Sequence, residues 1–336
     1  MENNRELNVS YLFGAGASAQ ALPLVKKTNE SSDIATAFAE LSSKLSSYKF
    51  NEIYTDYISH LKDSLIWLAT GTKEFGSPDT FAKYLFLKDL TRLGELKNTL
   101  SAFFLIEQVE NKKFDKRSLI FLTTIMNIDQ VFPGNIKILT WNYDFQLELA
   151  SEVFRKESFE VHQTGATMHA PPLIRYFPST SPFLSNRPDE ISIVHLNGIA
   201  GFYWNKSINR PNSLFANKEK TLDNILELLT TKEYDERNLL TFAWENYLRR
   251  ESTDYIKLIC EKTDILVIIG YSFPFFNREI DKQIFDWLKA NNRFKKIYYQ
   301  DPFKSGDFLK NQFELSDSIE IRHVNDSNNY FIPMEL

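Results

Sequence analysis

One histidine, one amide and one carboxylate are the side chains of this chain best suited to chemistry. His195 closes the apolar run 191–195 in the segment HLNG at 195–198, and an ordinary histidine pKa of ~6.5 suits a general base near neutral pH. Asn142 and Asp144 stand two residues apart in TWNYD at 140–144, directly after the apolar run 136–140. Two small-residue turns complete the set, FGAGAS at 13–18 and IGYSF at 269–273. Gly14, Ala15, Gly16 and Ser18 would let the backbone approach a pyrophosphate and lead it to the free N–H groups of a following helix. Gly270 and Ser272 suit phosphate or ribose contacts, and Asp301, ending the next strand, suits a ribose diol.

Each of these residues also has a plainer use. Asn142 can cap the helix that follows, and Asp144 can favour its N-terminus. A strand-end histidine can be a hydrogen-bonded structural residue, glycines at a strand–helix turn can serve packing, and Asp301 can start a turn with Pro302. The usual dinucleotide fingerprint has a third glycine and an acidic residue ~20 positions on, and this chain has neither, which disfavours an ordinary dehydrogenase.

The elements that must position these groups follow from periodicity. Residues 9–13, 136–140, 191–195, 265–269, 296–300 and 319–323 read as strands, with 265–269 the most apolar. Helical periodicity fills the stretch from about 34 to 128: Phe38, Leu41 and Leu45; Tyr54, Ile58, Leu61, Leu65 and Leu68; Phe81, Leu85 and Leu87; Leu100, Phe103, Phe104 and Ile106. Further helices are expected at 145–154, 222–229, 239–248, 279–290 and 308–315. The stretch 165–190, rich in Pro, Ser and Thr, reads as an irregular loop near the site. The expected fold class is therefore α/β: a doubly wound, Rossmann-like parallel sheet in a single domain over 1–336, with a large all-helical insertion at about 30–130.

Composition narrows the function. The 336 residues are 43% hydrophobic and 14% aromatic, which suits a compact interior. A formal charge of -5 gives no electrostatic footprint for direct nucleic-acid binding. The first apolar run ends at Gly14, too short for a signal peptide or a membrane span, so a cytoplasmic location without membrane contact is expected. Cys260 is the single cysteine, so neither a disulfide nor a cysteine zinc site can be assembled within the chain.

Taken in order, the four segments resemble the sirtuin family, whose NAD-binding domain carries a GAG turn, a T-x-N-x-D motif, a catalytic histidine closely followed by glycine, and a late G-x-S turn. The resemblance covers about half of the chain. It implies that Asn142 holds the nicotinamide ribose and a water, that Asp144 lies near the carboxamide and that His195 is the base. It further implies cofactor contacts from Gly14, Ala15, Gly16, Ser18, Gly198, Gly270, Ser272 and Asp301. Two departures matter. The chain cannot form the four-cysteine zinc ribbon of protein deacylases, and it reads AQALPLV where they carry G-I-P-D-F-R. A helical insertion in place of those modules resembles the sirtuin-like NADases of bacterial antiphage defence. That resemblance implies an NAD+ glycohydrolase that uses NAD+ as substrate, needs no zinc and depletes NAD+ when activated. It also implies a partner such as an ATPase or a nucleic-acid-guided sensor; and because an enzyme that destroys NAD+ must be kept off, gating by a homo-oligomer or by such a partner, through the helical region at about 30–130, is expected. The alternatives are an NAD- or ADP-ribose-binding scaffold without turnover, and a protein deacylase or ADP-ribosyltransferase.

Overall fold

A computed structural model describes residues 6–26, 33–128, 132–162, 175–177, 191–205, 210–213, 221–231, 238–245 and 250–336. The described strands in chain order are β1 (Val9–Phe13), β2 (Ile136–Thr140), β3 (Arg175–Phe177), β4 (Ser192–His195), β5 (Phe202–Asn205), β6 (Arg210–Ser213), β7 (Ile265–Ile269), β8 (Lys296–Gln300) and β9 (Glu320–Val324). The helices are α1 (Ile34–Lys44), α2 (Thr55–Phe75), α3 (Pro78–Lys88), α4 (Leu90–Leu105), α5 (Lys116–Ile125), α6 (Gln146–His162), α7 (Leu222–Thr230), α8 (Arg250–Lys262), α9 (Arg278–Ala290) and α10 (Phe308–Phe313).

Seven strands form one parallel sheet in the order β3-β4-β2-β1-β7-β8-β9, and β5 and β6 pair separately as an antiparallel hairpin. β1 and β7 are buried along their whole length, as expected of parallel strands covered on both faces. Alternation then sorts their side chains. Tyr11, Phe13, Val267 and Ile269 join a core with Phe121 and Leu122 of α5 and Leu147 of α6. Leu12, Leu266 and Ile268 point the other way, to Ile256 and Ile259 of α8 and Ile284 and Phe285 of α9. Helices thus cover both faces, and the sheet is doubly wound. From central β1 the chain builds outward on one side through β2, β4 and β3, then returns to build β7, β8 and β9 on the other. At that reversal the strands' carboxyl ends form the place where open α/β sheets bind ligands.

α1 to α4 form the helical region, and their termini follow local rules. The Asp33, Ser77 and Asp89 side chains accept from the backbone N–H groups of Thr36, Thr80 and Arg92, capping α1, α3 and α4. Pro78 occupies the first turn of α3, and α2 ends at Gly76 in the left-handed conformation. Phe38, Leu41, Leu45, Ile58, Leu61, Leu65, Leu68, Phe81, Leu85, Leu100, Phe103, Phe104 and Ile106 are all buried in one core. Leu87, at the end of α3, is exposed. The same core takes in Ile199, Phe202, Leu226 and Leu240, so the helical region and the segment after β4 share one interior. α5 instead packs on the sheet with α6.

Three expectations are corrected. FGAGAS leads into a four-residue 3-10 turn, Ala15–Ser18, rather than a helix, and among the described residues the first α-helix begins at Ile34. Within 165–190, residues 175–177 form the edge strand β3 beside β4; the rest of that stretch lies outside the described residues. Residues 239–242 are not helical, because Leu239 N–H bonds to Phe202 O at 2.8 Å and Thr241 N–H to Asn197 O at 2.8 Å, which lays this segment against the turn after β4. Only a 3-10 turn, Ala243–Glu245, follows it in the described part. The hairpin β5–β6 had no counterpart in the sequence reading. No helix among the described residues is long and apolar enough to cross a membrane.

Candidate functional site

The site is built from the ends of β1, β2 and β4. Beyond β2 the Thr140 hydroxyl accepts from Asn142 N–H at 3.1 Å and bends the chain. The Asn142 side-chain amide donates to Ser18 Oγ at 3.2 Å, and the Ser18 hydroxyl donates to Asp144 Oδ2 at 2.8 Å. Asp144 Oδ1 also accepts from Gln146 N–H at 3.3 Å, so the carboxylate meets the first turn of α6. His195 ends β4 with Nδ1 3.1 Å from the Asn142 carbonyl oxygen and Nε2 2.7 Å from Glu148 Oε1. Asn142, Asp144, Glu148 and His195 are all buried.

Together with Phe13, Ser118, Thr140, Leu147 and Tyr330, these groups line a small cavity with room for about one water molecule. It is thus far smaller than the pockets of about 300–1,000 Å³ that usually hold small molecules. Asn142, Ser18 and Asp144 satisfy one another across it. The Ser18 turn is braced from behind, where the Tyr330 hydroxyl donates to Ala17 O and Arg117 donates to Ala17 O at 3.0 Å. Arg117 is itself paired with Asp115 at 2.6 Å, both side chains buried.

Burial pushes the Asp144 carboxyl up to about 6, against the opposing hydrogen bonds from Ser18 and Gln146. For His195 burial acts to lower the pKa, but the Glu148 charge and hydrogen bond, with the Asn142 carbonyl, outweigh it and the value is raised. Two titratable groups, both shifted upward, thus share one cavity.

The structure brings Ser18, Asn142, Asp144 and His195 together, and it uses the glycine turns differently. Gly14 N–H bonds to Ile269 O at 3.0 Å, Gly16 N–H to Gly270 O at 2.9 Å and Gly270 N–H to Gln300 O at 3.0 Å. A Cβ on Gly14 would sit 2.6 Å from Tyr271 Cα, and one on Gly16 2.7 Å from Gly270 Cα. The two turns pack backbone on backbone, and these three amides are committed. Gly198 has φ +69° and lies so close to the Leu239 carbonyl that a Cβ would meet it at 1.6 Å. Ala15 and Ser272 are exposed. Asp301 Oδ1 accepts from Phe303 N–H and Lys304 N–H at 2.8 Å each, which is the turn role open to it in the sequence. None of these residues lines the cavity.

Sequence reasoning missed Glu148. Its signal was its place four residues after Asp144, in the first turn of the helix that follows. Two supporting contacts were also missed. Gln108, in a π-helical turn at the end of α4, accepts from Phe145 N–H at 3.1 Å and from the Gln146 side chain at 2.8 Å. Tyr143 lies between Asn142 and Asp144 in sequence, and its hydroxyl donates to Asp79 of α3 at 3.0 Å and accepts from the Asn197 side chain at 3.3 Å. Among the described residues no group of three or more His, Cys, Asp or Glu side chains could hold a metal ion.

No family model and no curated protein matches the sequence. Among solved structures the chain is similar to one described as "The Structural basis of Sirtuin Substrate Affinity", with a TM-score of 0.40 and 10% identity over 96% of this chain and 90% of that one. A likeness at that level identifies neither a substrate nor a reaction.

Proposed function

We propose that the chain is an NAD+ glycohydrolase, releasing nicotinamide and ADP-ribose from NAD+ without the zinc ribbon of a protein deacylase. The observation that carries this reading is the convergence of Ser18, Asn142, Asp144 and His195 on one buried cavity beside the sheet's strand-order reversal. Cleaving the N-glycosidic bond passes through a ribosyl cation-like state, so a site needs a held ribose, a positioned water and a proton acceptor. In the proposed reaction the oxygen of water bonds to the ribose anomeric carbon, and the electrons of the breaking C–N bond leave with neutral nicotinamide. The proton of that water passes to His195. Asn142 orients the ribose and the water, and Asp144 anchors the carboxamide. To do so, both exchange their present bonds through Ser18 for bonds to the ligand.

A second reading, an NAD- or ADP-ribose-binding subunit without turnover, is favoured by one observation: both ring nitrogens of His195 are engaged. The proposal also includes control of the site by self-association or by a partner, such as an ATPase or a nucleic-acid-guided sensor in antiphage defence, because unrestrained NAD+ hydrolysis would drain the cell that makes the enzyme.

Incubating the purified chain with NAD+, alone and with candidate partners, and resolving the products by chromatography tests the proposal. Release of nicotinamide and ADP-ribose, lost by about 10²- to 10⁴-fold in Asn142→Ala, is expected if Asn142 positions the reacting water. Binding without release under every condition transfers support to the second reading. Nicotinamide release that depends on an acyl-lysine peptide would instead indicate deacylation.

A further inference from the structure

We propose that Glu148 is a positioning residue that makes His195 and itself a single acid–base unit, the carboxylate holding the ring through Nε2 and sharing the proton that the ring exchanges. The inference rests on the glycohydrolase reading for the reaction served, and on the hydrogen-bond geometry for the unit itself.

The geometry fixes the proton count. The Asn142 carbonyl can only accept, so Nδ1 of His195 carries a hydrogen towards it. Nε2 lies 2.7 Å from Glu148 Oε1, with the two side chains only 2% and 5% exposed. One proton must lie between those two atoms, because two lone pairs facing each other at that distance would repel. It sits on Nε2 opposite an ionised carboxylate, or on Glu148 opposite a neutral ring. A ring bonded in this way offers the cavity no free lone pair. The form able to act as a base is therefore the unit with that proton removed. When water attacks the ribose, its O–H bond breaks, the proton enters between Nε2 and Oε1, and the contact seen here is restored. The bond is thus strongest as the proton arrives, which favours the transition state over the ground state.

The groups facing this pair are few. Asp144, from the turn before α6, is the other carboxylate; Ser18 from the β1 turn and Ser118 from α5 are neutral, and burial keeps the Tyr330 hydroxyl un-ionised. The Arg117–Asp115 pair lies behind the Ser18 turn. The raised pKa of His195 agrees with a nearby carboxylate outweighing burial.

Glu148→Gln in the full-length chain keeps the side chain's shape and removes its charge. Two readouts are taken: the NMR titration of the His195 ring, and the pH profile of nicotinamide release. In folded Glu148→Gln the His195 midpoint is expected to fall by about one pH unit or more, which corresponds to a tenfold or larger change in proton affinity. The acid limb of the profile should move to lower pH with it. The kcat should drop by about 10- to 100-fold, with little change in KM and partial recovery in Glu148→Asp. A folded Glu148→Gln whose ring titration and pH profile match wild type overturns the proposal. If the wild-type protein releases no nicotinamide, the glycohydrolase reading fails and the ring titration still decides the role of Glu148. If Glu148→Gln does not fold, the wild-type ring decides. An Nε2-bound proton retained above ordinary histidine pH supports the unit, and an Nε2 that titrates as in a free histidine overturns it.

Discussion

Asp144 and Asp281 are both buried carboxylates reached from the same five-residue segment, yet they belong to different kinds of site. Asp144 joins Ser18 and Asn142 at the edge of a cavity that also holds Glu148 and His195. Asp281, on α9, accepts from Trp141 Nε1 at 3.2 Å and from the Tyr271 hydroxyl at 2.7 Å, and Tyr271 in turn accepts from the Asn277 side chain at 3.1 Å. Trp141 and Asn142 are neighbours in sequence but serve opposite clusters. Burial pushes Asp281 up to about 8 and Asp144 only to about 6. The more perturbed carboxylate is thus the one that does not line the cavity at the ends of β1, β2 and β4. Perturbation records burial, and it points to chemistry only where a space and a second titratable partner accompany it.

The largest expected effect separates the two clusters by activity. His195→Ala should lower nicotinamide release by about 10²- to 10⁴-fold, whereas Asp281→Asn should stay within about threefold of wild type. Equal losses in the two variants, measured as kcat/KM on folded protein, would erase the distinction. A smaller effect concerns stability. Asp281→Ala leaves the Trp141 N–H and the Tyr271 hydroxyl without their acceptor and should cost about 1–3 kcal/mol in urea unfolding at pH 7. A change below about 0.5 kcal/mol would mean that water or a new partner fills the gap.

The smallest effect is a slope. Both carboxyls hold their protons in the folded state above the unfolded value of 3.8. Over that window the native state binds more protons than the unfolded chain, so each contribution makes stability fall as pH rises, from about 4 to about 6 for Asp144 and from about 4 to about 8 for Asp281. Asp281→Asn should flatten the decline between pH 6 and 8 by at least about 1 kcal/mol. Asp144→Asn should change that interval by less than about 0.5 kcal/mol and act mainly below it. Urea midpoints collected from pH 5 to 8 measure both, and a wild-type midpoint that rises with pH across 6 to 8 would contradict the assignment of Asp281.

Much of the fold was legible because its signals are local. Apolar runs marked the buried strands β1, β2, β4 and β7, and the 3.6-residue period marked α1 to α4 without any tertiary information. β3 was not legible, since three residues in a proline-rich stretch become a strand only by pairing with β4. Residues 239–242 carry an apolar pattern that suits a helix, but hydrogen bonds to Phe202 and Asn197 tie them down in a non-helical course, so a tertiary contact overrides the local preference. The site divides in the same way. Asn142, Asp144 and His195 stand out by type and by position at strand ends. Glu148 looked like an ordinary charge in the first turn of a helix until β4 placed a ring 2.7 Å away. The glycines were legible as glycines, but their use was not, because the backbone each one accommodates belongs to a segment more than two hundred residues distant for Gly14 and Gly16.

Tyr143 gives the molecule a mechanical property. Its backbone is fixed between Asn142 and Asp144, its carbonyl accepts from Ala200 N–H at 2.9 Å, and its hydroxyl is bound to Asp79 at the start of α3. Among the described residues this is a direct hydrogen bond from the helical region to the segment that carries the two polar groups. Any tilt of α3 would therefore be felt, through one phenol ring, at the peptide units on either side of it, next to Asn142 and Asp144.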